Sequence, residues 1–239
     1  MNEPATFQAY GLEHLIAIFL TVALPFALAA VVRASKSAFA ERAVVAALSA
    51  ILFANYAGYL FFIRRLGELG WEQMLPLQMC DWAMVVVIVA LWTKNHRWFE
   101  VAYFWGIGGT LQAVLTPNLR FGFPDLRFAS FFISHGGIIV AVGFLMLTRG
   151  LRPYPFSIVR AFLWSELYFL VTILVDHFTG VNYGFLLHKP EAFSLLSFLS
   201  DDRALYLLQM HGLALIFFAV LYLPFALYDP IRRARGRLI

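Results

Sequence analysis

Charged residues are scarce in this chain of 239 residues, at 13% of the sequence, while hydrophobic residues make up 62%. Soluble domains carry about 25% charged and about 45–50% apolar residues. A single water-soluble core therefore cannot enclose so many apolar side chains. The chain has one cysteine, Cys80, which excludes an intramolecular disulfide and any metal site built from several cysteines. The segment before the first long apolar run contains Glu3 and Glu13 and no Lys or Arg, whereas a cleaved signal peptide begins with positive charge. The first helix is therefore expected to remain in the mature protein.

Apolar runs of about 20 residues alternate with short connections that hold most of the charge. This pattern predicts an all-α polytopic membrane protein, folded as a single domain over 1–239 into one bundle of seven transmembrane helices. The predicted spans are 10–32, 40–63, 75–93, 98–116, 128–148, 156–178 and 204–228. The longest connection, 179–203, is polar at its ends and apolar in its middle, which predicts a segment that lies along the membrane surface or folds back as a lid.

Lys and Arg are about twice as frequent on one side of this predicted bundle as on the other. The richer side holds the connections after the first, third and fifth spans and the arginine-rich C-terminal tail. Positive charge near the spans marks the cytoplasmic side, so the C-terminus is predicted in the cytoplasm and the N-terminus outside. The same scattered basic residues form no nucleic-acid surface, and no nucleic-acid partner is expected. The predicted location is an integral membrane, the plasma membrane if the source is bacterial, and the sequence leaves the oligomeric state open.

Polar side chains recur near the predicted outer ends of the helices, at a depth where they are costly and commonly functional. We expect them to form one pocket around Cys80. The members are His14, Gln78, Asp81, Gln112, His135, Asp176, His177, Asn182, Tyr183 and His211. Histidines can hold zinc, but no two of these lie four residues apart in one helix, so no metal and no cofactor is assigned.

A thiol becomes a nucleophile when a base or a positive field favours the thiolate. Pro76 predicts a helix start that leaves Cys80 a little beyond the first turn, where the helix dipole helps only modestly. By depth His135 is the best placed base, and Asp176 can orient the imidazole. The alternative is that Cys80 is a small buried hydrophobe, and the neighbouring Asp81 disfavours a second negative charge.

Helical spacing also predicts which faces meet protein. Small residues on the fourth and fifth spans predict close packing of these two helices. They are Ala102, Gly106, Gly109, Ala113 and Thr116, followed by Ser130, Ser134, Gly137 and Ala141. A polar stripe on the sixth span is expected to face the bundle interior, with the members Ser165, Tyr168, Thr172, Asp176 and Thr179. Glu166 needs a partner near mid-membrane, and Asn55 and Tyr59 are the candidates.

Four motifs resemble the YwaF family of bacterial integral membrane proteins, whose animal relative is called transmembrane protein 164. The motifs are LPLQMC, FWGIGGTLQAVLTPNL, FISHGG and VDHFTGVNYGFLLHKP, and the similarity covers about 10–228. The resemblance implies a seven-helix membrane protein. For the animal branch it also implies an acyltransferase that moves a polyunsaturated acyl chain between phospholipids with an active Cys and His, here Cys80 and His135. The chain departs from the bacterial pattern at Gln78, where relatives have a histidine, and Asp81 follows the cysteine.

The leading hypothesis is therefore a membrane-embedded lipid acyltransferase or acyl hydrolase that works through a thioester on Cys80 with His135 as base. Membrane lipids are the expected substrates, and Gln112, Asn182 or Tyr183 are the candidate oxyanion donors. The rival is a non-enzymatic binding or transport bundle whose polar pocket opens to the outer side. A structural partner for other membrane proteins is the third possibility.

Overall fold

A computed structural model describes residues 6–190 and 194–236, and it is helical almost throughout, with one isolated β-bridge between Thr6 and Phe121. The helices follow the chain in the order α1 (Leu12–Ser35), α2 (Ala38–Leu66), α3 (Trp71–Met74), α4 (Met79–Thr93), α5 (His96–Trp105), α6 (Leu111–Leu115), α7 (Leu126–Arg149), α8 (Pro155–Thr179) and α9 (Arg203–Gly236). A π-helical turn, Gly106–Thr110, joins α5 to α6. The connection after α8 contains two short 3-10 turns, Tyr183–Phe185 and Leu195–Phe198.

Six helical segments within the described ranges are long and apolar enough to cross a bilayer. They are Leu12–Ser35, Ala38–Leu66, Trp71–Thr93, Leu126–Arg149, Pro155–Thr179 and Arg203–Tyr228. Their outer faces expose large apolar side chains such as Phe19, Phe53 and Phe178, which a soluble protein would not leave in water. The prediction of an all-α, multi-pass integral membrane protein is confirmed.

The fourth predicted span is a composite run in which α5, the π-helical turn and α6 follow one another without a break. Its turn has the sequence GIGGT, and glycine has a low helix propensity, so the regular hydrogen-bond pattern is easily shifted there. α5 lies at the centre of the bundle, and every side chain from Phe99 to Trp105 is buried. It packs against α4, α7 and α8.

The third span begins its regular helix later than the predicted start at residue 75. Leu75 is extended and Gln78 caps α4, because Pro76 lacks an N–H and restricts the residue before it. Asp81 accepts a hydrogen bond from the Gln78 backbone N–H at 3.1 Å, which fixes the cap. Cys80 is therefore the second residue of the helix and lies inside its first turn, not beyond it as predicted.

Small residues make the close helix contacts, but only in part between the predicted pair. A Cβ placed on Gly106 would lie 2.9 Å from Ile138 of α7, so the fourth and fifth predicted spans do touch closely there. Gly136 of α7 instead faces Thr21 of α1, and Gly137 faces α2. The glycines of α7 thus allow close contact with α1 and α2, while the contact with the composite run depends on Gly106 of that run.

Two ionic clusters tie together the helix ends that the charge pattern predicts to be cytoplasmic. Glu41 of α2 pairs with Lys94 at 3.0 Å and with Arg149 at the end of α7. Glu100 of α5 is fully buried and receives bonds from Ser157 and Arg160 of α8. The sequence analysis missed both clusters, because no local spacing links residues on different helices.

Candidate functional site

A cavity of about 940 Å³ lies between α4, the composite run, α7, α8 and α9, and the connection after α8 forms part of its wall. Its lining combines polar and aromatic side chains. Gln112 lines it near the C-terminal end of the composite run, and Phe104 lies about 12 Å away along the same run, at about 1.5 Å per residue. Phe162, Phe217 and Phe218 line the cavity as well, and Phe162 contacts the ring of His211. The cavity is therefore amphipathic.

Cys80 is a free, half-buried thiol that lines this cavity. It lies in the first turn of α4, where backbone N–H groups lack intrahelical partners and the helix dipole is positive. Asp81 turns its carboxylate back to the Gln78 backbone and is not part of the cavity lining. The positive end of the helix stabilises negative charge on the sulfur, while burial and the Asp81 carboxylate oppose it.

His135 of α7 lines the same cavity. Its Nδ1 lies 2.8 Å from the Phe131 carbonyl oxygen, and because a carbonyl only accepts, Nδ1 carries the hydrogen. In the neutral ring the lone pair is then on Nε2, which has no hydrogen-bond partner among the described residues. The Phe131 ring, with its centroid 4.2 Å from that of the imidazole, helps to hold the ring in place.

No hydrogen bond joins Cys80 to His135 within the described ranges. The two groups meet through the cavity that both of them line. Catalytic hydrogen bonds are often long or unformed before a substrate binds, so this geometry is compatible with a pair that closes on a ligand. The arrangement provides one nucleophilic atom and one free base in a common space.

A second ionisable pair also lines the cavity. Glu166 of α8 has His211 of α9 as its partner, with Oε2 and Nε2 3.2 Å apart. The prediction that Asn55 or Tyr59 pairs with Glu166 is therefore wrong. Asn55 instead donates to the Ser130 carbonyl at 3.1 Å and to the Ser134 hydroxyl at 2.8 Å, which joins α2 to α7.

The polar lining includes three amide side chains, Gln78, Gln112 and Asn118. Gln112 makes no side-chain hydrogen bond within the described part of the chain, so its NH₂ group is free to donate into the cavity. Gln78 accepts only a long bond of 3.5 Å from the Gly184 backbone, which leaves its NH₂ group free too. These amides are the side chains best suited to stabilise a developing oxyanion.

His14 lies outside the cavity lining, although it was a candidate for the pocket. Its ring is fully buried, with Nδ1 accepting from the Tyr10 backbone at 2.9 Å and Nε2 donating to the Val114 carbonyl at 2.8 Å. Both ring nitrogens are used, and the ring fastens α1 to α6. His177 is exposed and contacts the Phe178 ring, and it does not line the cavity either.

Asn182 holds the connection after α8 in shape. Its amide NH₂ donates to the His188 carbonyl at 2.8 Å and lies 3.0 Å from Nδ1 of the same histidine, and its oxygen accepts from the Leu187 backbone. The side chain does not line the cavity, so it is not placed to donate to an oxyanion there.

Tyr183 and Asp176 fix the start of the same connection. The Tyr183 hydroxyl donates to the Trp71 carbonyl, and burial raises the pKa of this phenol. Asp176 accepts from the Tyr183 backbone at 3.0 Å, while its second oxygen is buried without a partner among the described residues. Neither side chain lines the cavity, so the pocket brings together fewer residues than the sequence predicted.

The polar stripe of α8 faces the interior as predicted for four of its five members. Trp105 donates to Ser165 at 2.9 Å, and Tyr168 donates to the Leu77 carbonyl at 3.0 Å. Thr172 and Asp176 are fully buried. Thr179 is the exception, because it is exposed at the helix end.

The connection after α8 folds back over the cavity, as one of the two predicted arrangements. Phe185, Leu186 and Phe198 are among its lining residues. Lys189 braces it by donating to the Leu199 carbonyl at 2.6 Å and to Asp201 at 2.7 Å. The described residues contain no group of three or more His, Cys, Asp or Glu side chains that could hold a metal ion.

Sequence reasoning missed the glycines of the π-helical turn as part of the site. Gly108 and Gly109 both line the cavity, and a Cβ on Gly109 would meet no atom within 4 Å. Short π-helical turns inside α-helices are frequent at functional sites. The signal for this turn was present in the adjacent glycines of the GIGGT segment.

Two of the comparisons with known proteins gave no result, since no curated protein and no solved structure matches this chain significantly. A family model does match, and it spans residues 9–222, which include both Cys80 and His135 and nearly all of the cavity lining. The chain therefore belongs to the TMEM164 family of membrane proteins.

Proposed function

We propose that this protein is a membrane-embedded lipid acyltransferase or acyl hydrolase that uses Cys80 and His135. The observation that carries the proposal is the shared cavity: a thiol at a helix N-terminus and a histidine with a free ring nitrogen line one amphipathic space. Its volume of about 940 Å³ lies within the usual range for ligand pockets. Polar groups beside the thiol and the imidazole, together with the aromatic rings in the same lining, suit a lipid ester and its acyl chain.

In the first half of the proposed reaction, the Cys80 thiol gives its proton to Nε2 of His135, and the thiolate attacks the carbonyl carbon of an acyl ester. Collapse of the tetrahedral intermediate breaks the ester C–O bond and leaves a thioester on Cys80. The departing alkoxide takes the proton from the His135 imidazolium.

In the second half, an alcohol or a water molecule gives its proton to His135 and attacks the thioester carbonyl. The C–S bond breaks, and the Cys80 thiolate recovers the proton. An alcohol acceptor gives transfer and water gives hydrolysis. The sequence of steps returns both side chains to their starting state and requires no cofactor.

The negative oxygen of each tetrahedral intermediate needs hydrogen-bond donors. Gln112 and Gln78 offer free amide NH₂ groups in the cavity, and the first turn of α4 adds N–H groups next to Cys80. Removal of one oxyanion donor commonly costs about 10²–10³ in rate. Gln112→Leu is therefore expected to lower turnover more than substrate binding.

We also propose seven crossings, with the N-terminus outside and the C-terminus in the cytoplasm. The composite run from α5 to α6, fourth in chain order, is the crossing added to the six long helices. Its length of about 30 Å, at about 1.5 Å per residue, matches the hydrocarbon core of a bilayer. The Lys and Arg bias supports the orientation. In that arrangement Cys80 and His135 lie towards the outer leaflet. Labelling of single introduced cysteines from each side of sealed vesicles, in a Cys80→Ser background, tests both assignments.

The direct test of the pair uses the purified full chain and an electrophile with a long alkyl tail, such as an alkyl chloromethyl ketone. We expect it to label Cys80, and we expect labelling to slow by about tenfold or more in His135→Ala. His177→Ala is the matched control, because His177 is exposed and lies away from the cavity lining. Equal labelling with and without His135, together with full activity of Cys80→Ser, would remove the mechanism.

A binding or transport bundle is the second candidate, and one observation favours it. Glu166 and His211 lie 3.2 Å apart inside the cavity, and ionisable groups within membrane spans often mark ligand or proton pathways. If the protein binds or transports a ligand, Cys80→Ala should keep ligand uptake while Glu166→Gln abolishes it. If it is an acyltransferase, Cys80→Ala should lose more acyl transfer than Glu166→Gln.

A further inference from the structure

The Glu166 and His211 pair lines the cavity but takes no part in the mechanism above. Its two side chains are 32% and 26% exposed, so both remain in contact with the cavity space. His211 directs Nδ1 at the Leu207 carbonyl oxygen at 2.6 Å, and this nitrogen must carry a hydrogen because a carbonyl only accepts. Nε2 of the same ring lies 3.2 Å from Oε2 of Glu166.

The pair offers an open hydrogen-bond acceptor. Oε1 of Glu166 makes no hydrogen bond within the described ranges, while Oε2 faces His211.

Aromatic rings pack around the pair. Phe169 packs its ring edge-on against His211 with the centroids 4.8 Å apart, and Phe162 does so at 6.3 Å. A hydrogen bond formed beside such rings, in a region of low dielectric constant, is stronger than one in water. An acceptor oxygen without a hydrogen-bond partner also costs free energy in such surroundings until a donor binds to it.

We propose that Glu166 and His211 form a binding subsite for a hydrogen-bond donor on the polar part of a lipid, either a hydroxyl or a primary ammonium group. The inference rests on the proposed function in that a lipid occupies the cavity. The acyl ester then lies at Cys80 while Glu166 accepts a hydrogen bond from the polar part of the same lipid or of the acyl acceptor. Lipids whose polar part lacks a donor would leave the acceptor unpaired and bind more weakly.

The test measures equilibrium binding to the purified full chain with single-chain amphiphiles that have no carboxylic ester to cleave. Two matched pairs of probes separate the two donors. An alkylglycerol is compared with its di-O-methyl ether, and an alkylphosphoethanolamine with the corresponding alkylphosphocholine. We expect the donor-bearing member of at least one pair to bind about tenfold more tightly, the range of one hydrogen bond to a charged group.

The variant Glu166→Gln is expected to reduce that preference to about twofold or less, because a neutral amide is a weaker acceptor than a carboxylate. Glu68→Gln is the matched control, since Glu68 pairs with Arg127 outside the cavity, and it should keep the full preference. If Glu166→Gln does not fold, Glu166→Met provides the same comparison without a buried polar group.

The proposal is overturned if neither pair shows a preference, if the preference survives in the Glu166 variants, or if all four probes weaken equally. These outcomes are independent of catalysis, because the probes cannot acylate Cys80. A protein that binds the probes as expected but leaves Cys80 unlabelled by electrophiles would retain the subsite and lose the acyltransferase.

Discussion

Two glutamates inside the bundle, Glu100 and Glu166, show how the same residue serves different ends. Glu100 is fully buried, and both of its oxygens accept hydrogen bonds, from Ser157 at 2.5 Å and from Arg160 at 2.6 Å, while His96 lies 2.9 Å from one of them. Glu166 has one partner at 3.2 Å and keeps a third of its side chain open to the cavity.

The difference between the two glutamates lies in how many of their carboxylate oxygens have hydrogen-bond partners, and not in burial alone. A carboxylate whose oxygens are all used by neighbours stabilises helix contacts and has nothing left for a ligand. One that keeps an open oxygen within a cavity is available for binding. The histidines follow the same division, since His14 uses both ring nitrogens and His135 keeps Nε2 free.

The largest stability effect is expected from Glu100→Gln. It weakens every bond in the cluster and leaves Arg160 without its counter-ion, at a cost of about 2–3 kcal/mol. This is below the usual figure for fully buried pairs because Arg160 is 40% exposed. Thermal unfolding of the purified protein measures it, and Glu166→Gln should shift the midpoint much less. An equal shift for both variants would erase the distinction between them.

Two glycines on the composite run extend the comparison from charge to packing. Gly106→Ala places a methyl group 2.9 Å from the Ile138 side chain of α7, which is closer than side-chain carbons approach in real proteins. This overpacking should lower the free energy of unfolding by about 1–3 kcal/mol. Gly109→Ala meets no neighbour and replaces a poor helix former, so its unfolding midpoint should hold or rise. Equal destabilisation by the two substitutions would mean that neighbouring atoms fill the space beside Gly109, so that no open cavity lies there.

Gly109 also tests what the open region is for. Gly109→Leu fills part of the cavity, so we expect about a tenfold slower reaction with long-chain acyl esters and little change with short-chain ones, since buried methylenes carry about 0.8 kcal/mol each. Gly58→Leu is the matched control, because it too has open space around it but lies outside the cavity lining. Chain-length profiles of acyl release measure the effect. A profile that Gly58→Leu changes as much as Gly109→Leu contradicts the proposed acyl-chain site.

The smallest effect is expected at Asp201, which is fully exposed and lies outside the spans. Lys189 donates a hydrogen bond to it, and this lowers the pKa of the Asp201 carboxyl. A lowered folded pKa means that the stabilisation is present above the unfolded pKa of about 3.9 and is lost as the pH falls through the folded value. Asp201→Asn should lower the midpoint only slightly at pH 7, and the difference should vanish in acid. A difference that grows in acid would contradict the assignment.

The long apolar spans could be read from the sequence because bilayer thickness imposes a run length that no soluble helix needs. The start of α4 could not, since it depends on a cap made by Gln78 and Asp81 that overrides the apolar pattern before it. The shift matters, because it moves Cys80 into the first turn.

The partners across the cavity were harder to predict. Depth along each helix placed Cys80, His135 and His211 near one level, and all three line the cavity. Depth alone carries no information on helix rotation, which turns His14 away to Val114 and brings Glu166 to His211. Asn182 and Tyr183 were predicted as donors from their residue type. In the fold the Asn182 amide donates to the His188 carbonyl within its own connection, and the Tyr183 hydroxyl donates to the Trp71 carbonyl of α3.

Thioester formation on Cys80 is measured most directly by the intact mass of the protein after incubation with an acyl-ester phospholipid. We expect an added mass of one acyl chain on Cys80, which neutral hydroxylamine removes and which Cys80→Ser lacks. Acyl transfer that proceeds while Cys80 stays unmodified, and that continues in Cys80→Ser, would contradict this expectation.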